Sequence, residues 1–161
     1  MIADIGIGIL LALFGHHVLD VALTPSLFIW SIVFSLLPDI DMIIYLIPGL
    51  KKVFKQHRGW THYPLVYIPI ILIVYIFIGP AWAIIMALGV SIHLVHDLLW
   101  IGHGVKFWWP FSNKYYKFFS QEKYTKPGEH WITTFYFRVN PVTIIEYGIF
   151  VLALVILLIN I

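Results

Sequence analysis

The 161-residue chain contains no cysteine. Neither a disulfide framework nor a thiolate metal site is therefore open to it. Charge is the next shortage: 11% of residues are Asp, Glu, Lys or Arg, against about 25% in soluble domains. A formal net charge of +2 is too small to argue for a nucleic-acid partner. No glycine-rich phosphate loop and no Ser/His/Asp signature can be read. The start, Met1-Ile2-Ala3-Asp4, has an acid where a secretory signal carries basic residues, so the first apolar run reads as a retained span.

What remains is apolar. Hydrophobic residues make up 61% of the chain, and mean hydropathy is +0.91. A soluble chain of this length cannot hide so many large apolar side chains from water, which leaves lipid to cover them. The pattern predicts an all-α, polytopic helical membrane bundle in a single domain, 1–161. Five segments approach the roughly 20 apolar residues a spanning helix needs: Ile2–Leu23, Leu27–Ile47, Tyr63–Gly79, Ala81–Ile101 and Val142–Ile161. Thr24-Pro25, Pro48-Gly49 and Gly79-Pro80 punctuate them, and a polar stretch over 102–141 separates the last two.

Every Lys and Arg falls in two connections, Lys51 to Arg58 and Lys106 to Arg138. With five spans these lie on one side, so the positive-inside rule predicts a cytoplasmic N-terminus and an outer C-terminus. The 102–141 loop mixes lysines with aromatics such as Trp108, Trp109 and Tyr116, a composition suited to the headgroup layer. The bilayer itself is the first expected partner.

An acid or histidine inside a span costs about 2.5–3.5 kcal/mol on insertion scales, so such positions are informative. Three clusters stand out. His93 and Asp97 share one helix face, where they can hold a metal ion, or the acid can orient the ring. His96 lies on a neighbouring face. Asp39 and Asp41 are two apart and converge only if the helix breaks, which Pro38 makes feasible. His57 and His62 are five apart across Gly59, with Thr61 as an expected N-cap and Pro64 in the first helical turn. Arg58 beside that helix start suits a phosphate or another anion.

The charge-derived topology carries all three clusters toward the cytoplasmic face, where Asp39, Asp41, His57, His62, His93 and Asp97 can meet. A His/carboxylate set without thiolates suits Zn²⁺, Mn²⁺ or Fe²⁺. The first span holds His16, His17 and Asp20, with His16–Asp20 at the same i,i+4 spacing, far from that face, whereas Asp4 is nearer to it.

Taken in order, Leu36-Leu37-Pro38-Asp39-Ile40-Asp41, His57-Arg58-Gly59-Trp60-Thr61-His62, His93-x-x-x-Asp97, Gly104-Val105 and Trp109-Pro110-Phe111 resemble the LexA-regulated, inner-membrane metal-dependent hydrolases. The resemblance covers residues 36 to 111. It implies a hydrolase of the prokaryotic inner membrane with metal ligands at Asp39, Asp41, His57, His62, His93 and Asp97. Two positions depart from the family's pattern: Tyr63 stands where a serine is frequent, and Asp4 or His16 where an N-terminal histidine is. The expectation is a divalent-metal hydrolase, zinc first and manganese or iron as alternatives, acting on a phospholipid or other phosphoester. Asp41 is the expected general base, and Arg58 the stabiliser of negative charge. The alternatives are a metal-ion transporter routed past His17 and Asp20, or a non-catalytic membrane scaffold holding a structural metal.

Overall fold

The computed structural model describes residues 2–41, 59–99, 104–118 and 141–160. Its regular elements in those residues are all helices, as the hydropathy pattern requires. Five α-helices follow in order: α1 Ile2–Leu19, α2 Pro25–Leu36, α3 Pro64–Phe77, α4 Pro80–Leu99 and α5 Pro141–Asn160. Two short 3-10 turns, Leu37–Asp39 and Trp60–His62, complete the helical set. Among the described residues no strand forms; one isolated antiparallel bridge joins Val105 to Tyr116.

The helix ends follow local chemistry. The Thr24 hydroxyl accepts from the Leu27 amide at 3.2 Å, and Pro25 occupies the first turn, where its missing N–H is not needed. At the far end Pro38 tightens α2 into a 3-10 turn, closed by the Ile40 amide on the Leu37 carbonyl. Pro64 opens α3 as expected, but its N-cap is Tyr63, without a side-chain capping bond. Thr61 instead belongs to the preceding 3-10 turn.

Among the described residues, three helices are long and apolar enough to cross a bilayer: Ile2–Leu19, Pro80–Leu98 and Thr143–Asn160. The apolar stretches Pro25–Asp39 and Pro64–Phe77 are shorter; helical geometry resumes at Ile40 and Asp41, and the rest of the expected second span lies outside the described residues. With 14 residues, α3 extends about 21 Å at 1.5 Å per residue, against a hydrocarbon core of about 30 Å. Proline breaks α2 early, and Gly79, with φ of +122°, turns the chain at the end of α3.

Packing centres on α1, which touches α2, α4 and α5; α4 also carries α2 and α3. Small residues permit the closest approaches. A Cβ on Gly8 would fall 2.5 Å from the Ile32 Cα, and one on Gly6 would fall 2.9 Å from the Phe150 Cα. Close backbone contact is how helices gain dispersion energy where lipid supplies no hydrophobic drive. Outward faces remain apolar, as at Phe77 on α3 and Leu158 and Ile159 on α5. Such a surface belongs in lipid.

Candidate metal centre

The proline break at the end of α2 builds the first half of the centre. A helix leaves its last four carbonyls without intrahelical partners. One of these, on Ser35, lies 2.8 Å from Nδ1 of His93 on α4. The same Nδ1 is 3.2 Å from Oδ1 of Asp4 on α1. With its Nδ1 proton donated to these oxygens, His93 directs the Nε2 lone pair the other way. Nε2 lies 3.7 Å from Asp39 Oδ1 and 3.7 Å from Asp97 Oδ2.

The second half comes from the Trp60–His62 turn, which packs on the Leu37–Asp39 turn. His62 Nε2 lies 3.5 Å from Asp39 Oδ1 and 3.1 Å from Asp97 Oδ2. Its Nδ1 faces the Thr61 hydroxyl at 3.1 Å and Asp41 Oδ2 at 3.8 Å. Tyr67 donates its hydroxyl proton to the Thr61 carbonyl and steadies that turn from α3. Both rings thus present Nε2 to the same two carboxylates, and each Nδ1 has a further carboxylate behind it: Asp4 behind His93, Asp41 behind His62.

The break at Pro38 also resolves the geometry of Asp39 and Asp41. They reach the two different nitrogens of the His62 ring. Asp4, Asp39, Asp41, Asp97, His62 and His93 are all buried. Four carboxylates and two imidazoles form a set with surplus negative charge at neutral pH. Burying such a surplus is costly until protons or a cation offset it. Burial alone would lower the pKa of His62, but hydrogen bonding to Asp39 and Asp97 and the charges of Asp97 and Asp41 outweigh it and hold the ring above its ordinary value.

The donors fit a divalent ion. One ligand atom from each of Asp39, His62 and His93 lies within 4.8 Å of the others. Zinc bonds of about 2.0–2.1 Å in a tetrahedron separate ligand atoms by about 3.3–3.4 Å. Among these three, Asp39 Oδ1 lies 3.5 Å from His62 Nε2 and 3.7 Å from His93 Nε2, a few tenths of an ångström beyond that spacing. The cluster can hold a metal ion.

Of the residues singled out in the sequence, the fold gathers Asp39, Asp41, His62, His93 and Asp97. His57 and Arg58 lie outside the described residues. The fold also recruits residues the sequence did not assign to the centre. Asp4 supports His93, and His96 lies between two acids: its Nδ1 is 3.8 Å from Asp4 Oδ1 and its Nε2 3.7 Å from Glu146 Oε1. Glu146, on α5, accepts from the Ala3 amide at 2.8 Å, one of the orphan donors at the start of α1. An acid inside an otherwise apolar span was the signal available for it.

A family model described as YdjM inner membrane protein matches residues 2–161. The chain belongs to that family. Its description agrees with the lipid-facing helices and assigns the protein to an inner-membrane family. It carries no chemistry, and the hydrolase label of the resemblance read from the motifs is not part of it. No curated protein and no solved structure matches the chain.

Proposed function

We propose that this membrane protein is a metal-dependent hydrolase whose centre lies at the cytoplasmic face. The observation that carries the reading is the convergence of two imidazole Nε2 atoms on Asp39 and Asp97 at 3.1–3.7 Å. Separate chain segments supply these groups, and the fold buries them together. Asp39, His62 and His93 would hold the ion, a set of two imidazoles and one carboxylate that leaves room for water and substrate. When bound, the ion supplies Lewis acidity to a substrate oxygen and acidity to a coordinated water. Zinc suits this donor set, with manganese and iron next.

The remaining residues have separable jobs. Asp97, within 3.1 Å of His62 Nε2 and 3.7 Å of His93 Nε2, takes the proton from the attacking water as general base. Asp41 faces His62 Nδ1 from 3.8 Å, on the side of the ring away from the proposed ligating Nε2, and so is less suited to the base role than Asp97. Asp4 and the Ser35 carbonyl fix the tautomer and direction of His93. Arg58, next to the Gly59-Trp60-Thr61-His62 turn in the chain, meets negative charge on a phosphoester. The basic connections favour five passes with the N-terminus inside, α2 and α3 completing their crossings with flanking residues.

The test is metal content and phosphoester turnover of detergent-purified protein. Wild type should carry about one divalent ion per chain and turn over a phosphoester. Asp39→Asn should lose both metal and turnover. Asp97→Asn should keep the metal and lose turnover by about a hundredfold or more. Metal retained in Asp39→Asn, or full turnover in Asp97→Asn, would sink the assignment.

A further inference from the structure

Beyond the metal centre, the chain turns back along the end of α4. Gly104, with φ of +81°, begins the return. The amides of Val105 and Tyr116 exchange hydrogen bonds at 2.9 Å with each other's carbonyls. The Phe118 amide then bonds the Leu98 carbonyl at 3.0 Å, one residue from Asp97. Trp109 packs on Tyr63 with ring centroids 5.0 Å apart, so this loop flanks the His62 turn as well. The segment is pinned to the metal-centre end of the bundle at both α3 and α4.

Between this loop and α4 is a cavity of about 400 Å³, lined by Leu98, Phe107, Trp108 and Tyr115 and by Lys114 and Lys117. That volume lies in the range of small-ligand pockets, about 300–1,000 Å³. Its chemistry is divided. Aliphatic and aromatic groups form the walls, while both charged liners are cations. Residues 104–118 hold three lysines and no acid. Two of the lysines are held by aromatic faces: Lys106 Nζ lies 4.7 Å from the Tyr115 ring centroid, and Lys114 Nζ 5.4 Å from that of Tyr116. Phe111, 86% exposed, and Phe118 project apolar rings beside them. An apolar body with a purely cationic rim matches an amphiphile whose polar end is anionic.

We propose that this cavity is a binding site for an anionic phospholipid, with its phosphate headgroup at Lys114 and Lys117 and the upper acyl carbons against Leu98, Phe107 and Trp108. The site gives the proposed phosphoester substrate a headgroup charge and a seat. It does not need the hydrolase reading to hold, because a lipid can be held here without being cleaved. The lysines act as point charges and do not require a particular phosphodiester, so selectivity is for net charge.

Native mass spectrometry of the full chain in detergent, titrated with short-chain phosphatidylglycerol or phosphatidylcholine, tests it. Wild type should bind phosphatidylglycerol about thirtyfold more tightly, the scale expected of two lysines at an anionic headgroup. Lys114→Gln with Lys117→Gln should bring the two lipids to within about twofold, and Lys→Arg at both positions should keep the preference. Trp108→Ala should weaken both lipids alike, which reports on the apolar wall. Asp39→Asn should keep the preference and so separates this site from the metal centre. Equal binding of the two lipids by wild type, a preference that survives the double glutamine variant, or its loss in Asp39→Asn would overturn the proposal.

Discussion

The chain holds two histidine–aspartate pairs at the same i,i+4 spacing, and the fold treats them in opposite ways. His93 and Asp97 lie on α4 at a point where α1 and both 3-10 turns close around them, so each meets further ligating groups. His16 and Asp20 lie at the far end of α1. There the helix stops at Leu19, and Asp20 takes φ of +54°, the left-handed turn that ends a helix. The His16 ring donates to the Val21 carbonyl at 3.0 Å, and His16 and His17 occupy the last turn, where the helix dipole favours them. Spacing along one helix therefore decides little. What distinguishes the pairs is whether other elements bring donors to the same point.

The sharpest way to break that comparison is to remove one member from each end. Asp39→Asn or His93→Ala should weaken metal binding by more than about a hundredfold, measured by chelator competition, because a bound ion would lose a ligand. His16→Ala should leave affinity and stoichiometry unchanged. The reverse pattern would move the ion to the end of α1 and revive the transport reading. A smaller effect separates ligand from support: Asp4→Asn keeps the shape beside His93 Nδ1 but loses the charge. Its affinity should fall by about 10–100-fold, the usual range for a group behind a ligating histidine. An unchanged affinity would leave Ser35 as sufficient support for His93.

How much of this was legible in the chain can be argued from the same residues. Hydropathy was enough for a helical membrane bundle, and Pro38 was enough to expect a break that would let Asp39 and Asp41 face one site. The basis of both is local: lipid-facing side chains and a missing amide. The orientation of each ring was not legible. It depends on the Ser35 carbonyl, 58 residues from His93, and on Asp4 in the first turn of α1, far from His93 along the chain but 3.2 Å from its ring. Glu146 escaped notice because nothing in its own segment tells which helix will cover it; its partner is the first turn of α1. Pro38 marked where α2 would be interrupted, but composition does not tell that the ladder there tightens into a 3-10 turn over Leu37–Asp39.

A pH series sharpens the comparison further. In metal-free protein, His62 has its pKa raised above the ordinary value by the facing carboxylates. A raised folded-state pKa contributes stability that is complete below the unfolded value of about 6.5 and is lost as pH rises through the folded value. The melting temperature of chelated protein should therefore fall as pH rises from about 6. Bound metal needs the unprotonated ring, so the stabilisation that added zinc provides should grow over the same interval. A zinc effect independent of pH would mean that His62 is not a ligand.

The smallest expected effect tests the quiet pair. At φ of +54° Asp20 occupies a conformation that costs most L-residues about 1–2 kcal/mol, less for aspartate and almost nothing for glycine. If Asp20 serves only to end α1, Asp20→Gly should hold or raise stability by about 0.5 kcal/mol. Asp20→Val should lower it by about 1–2 kcal/mol, because a β-branched residue fits that turn poorly. Melting in detergent measures both, and metal content should not move in either variant. A loss of metal or of stability in Asp20→Gly would instead give the carboxylate a job that the turn does not explain. The two histidine–aspartate pairs would then be functional equals rather than a ligand set and a helix end.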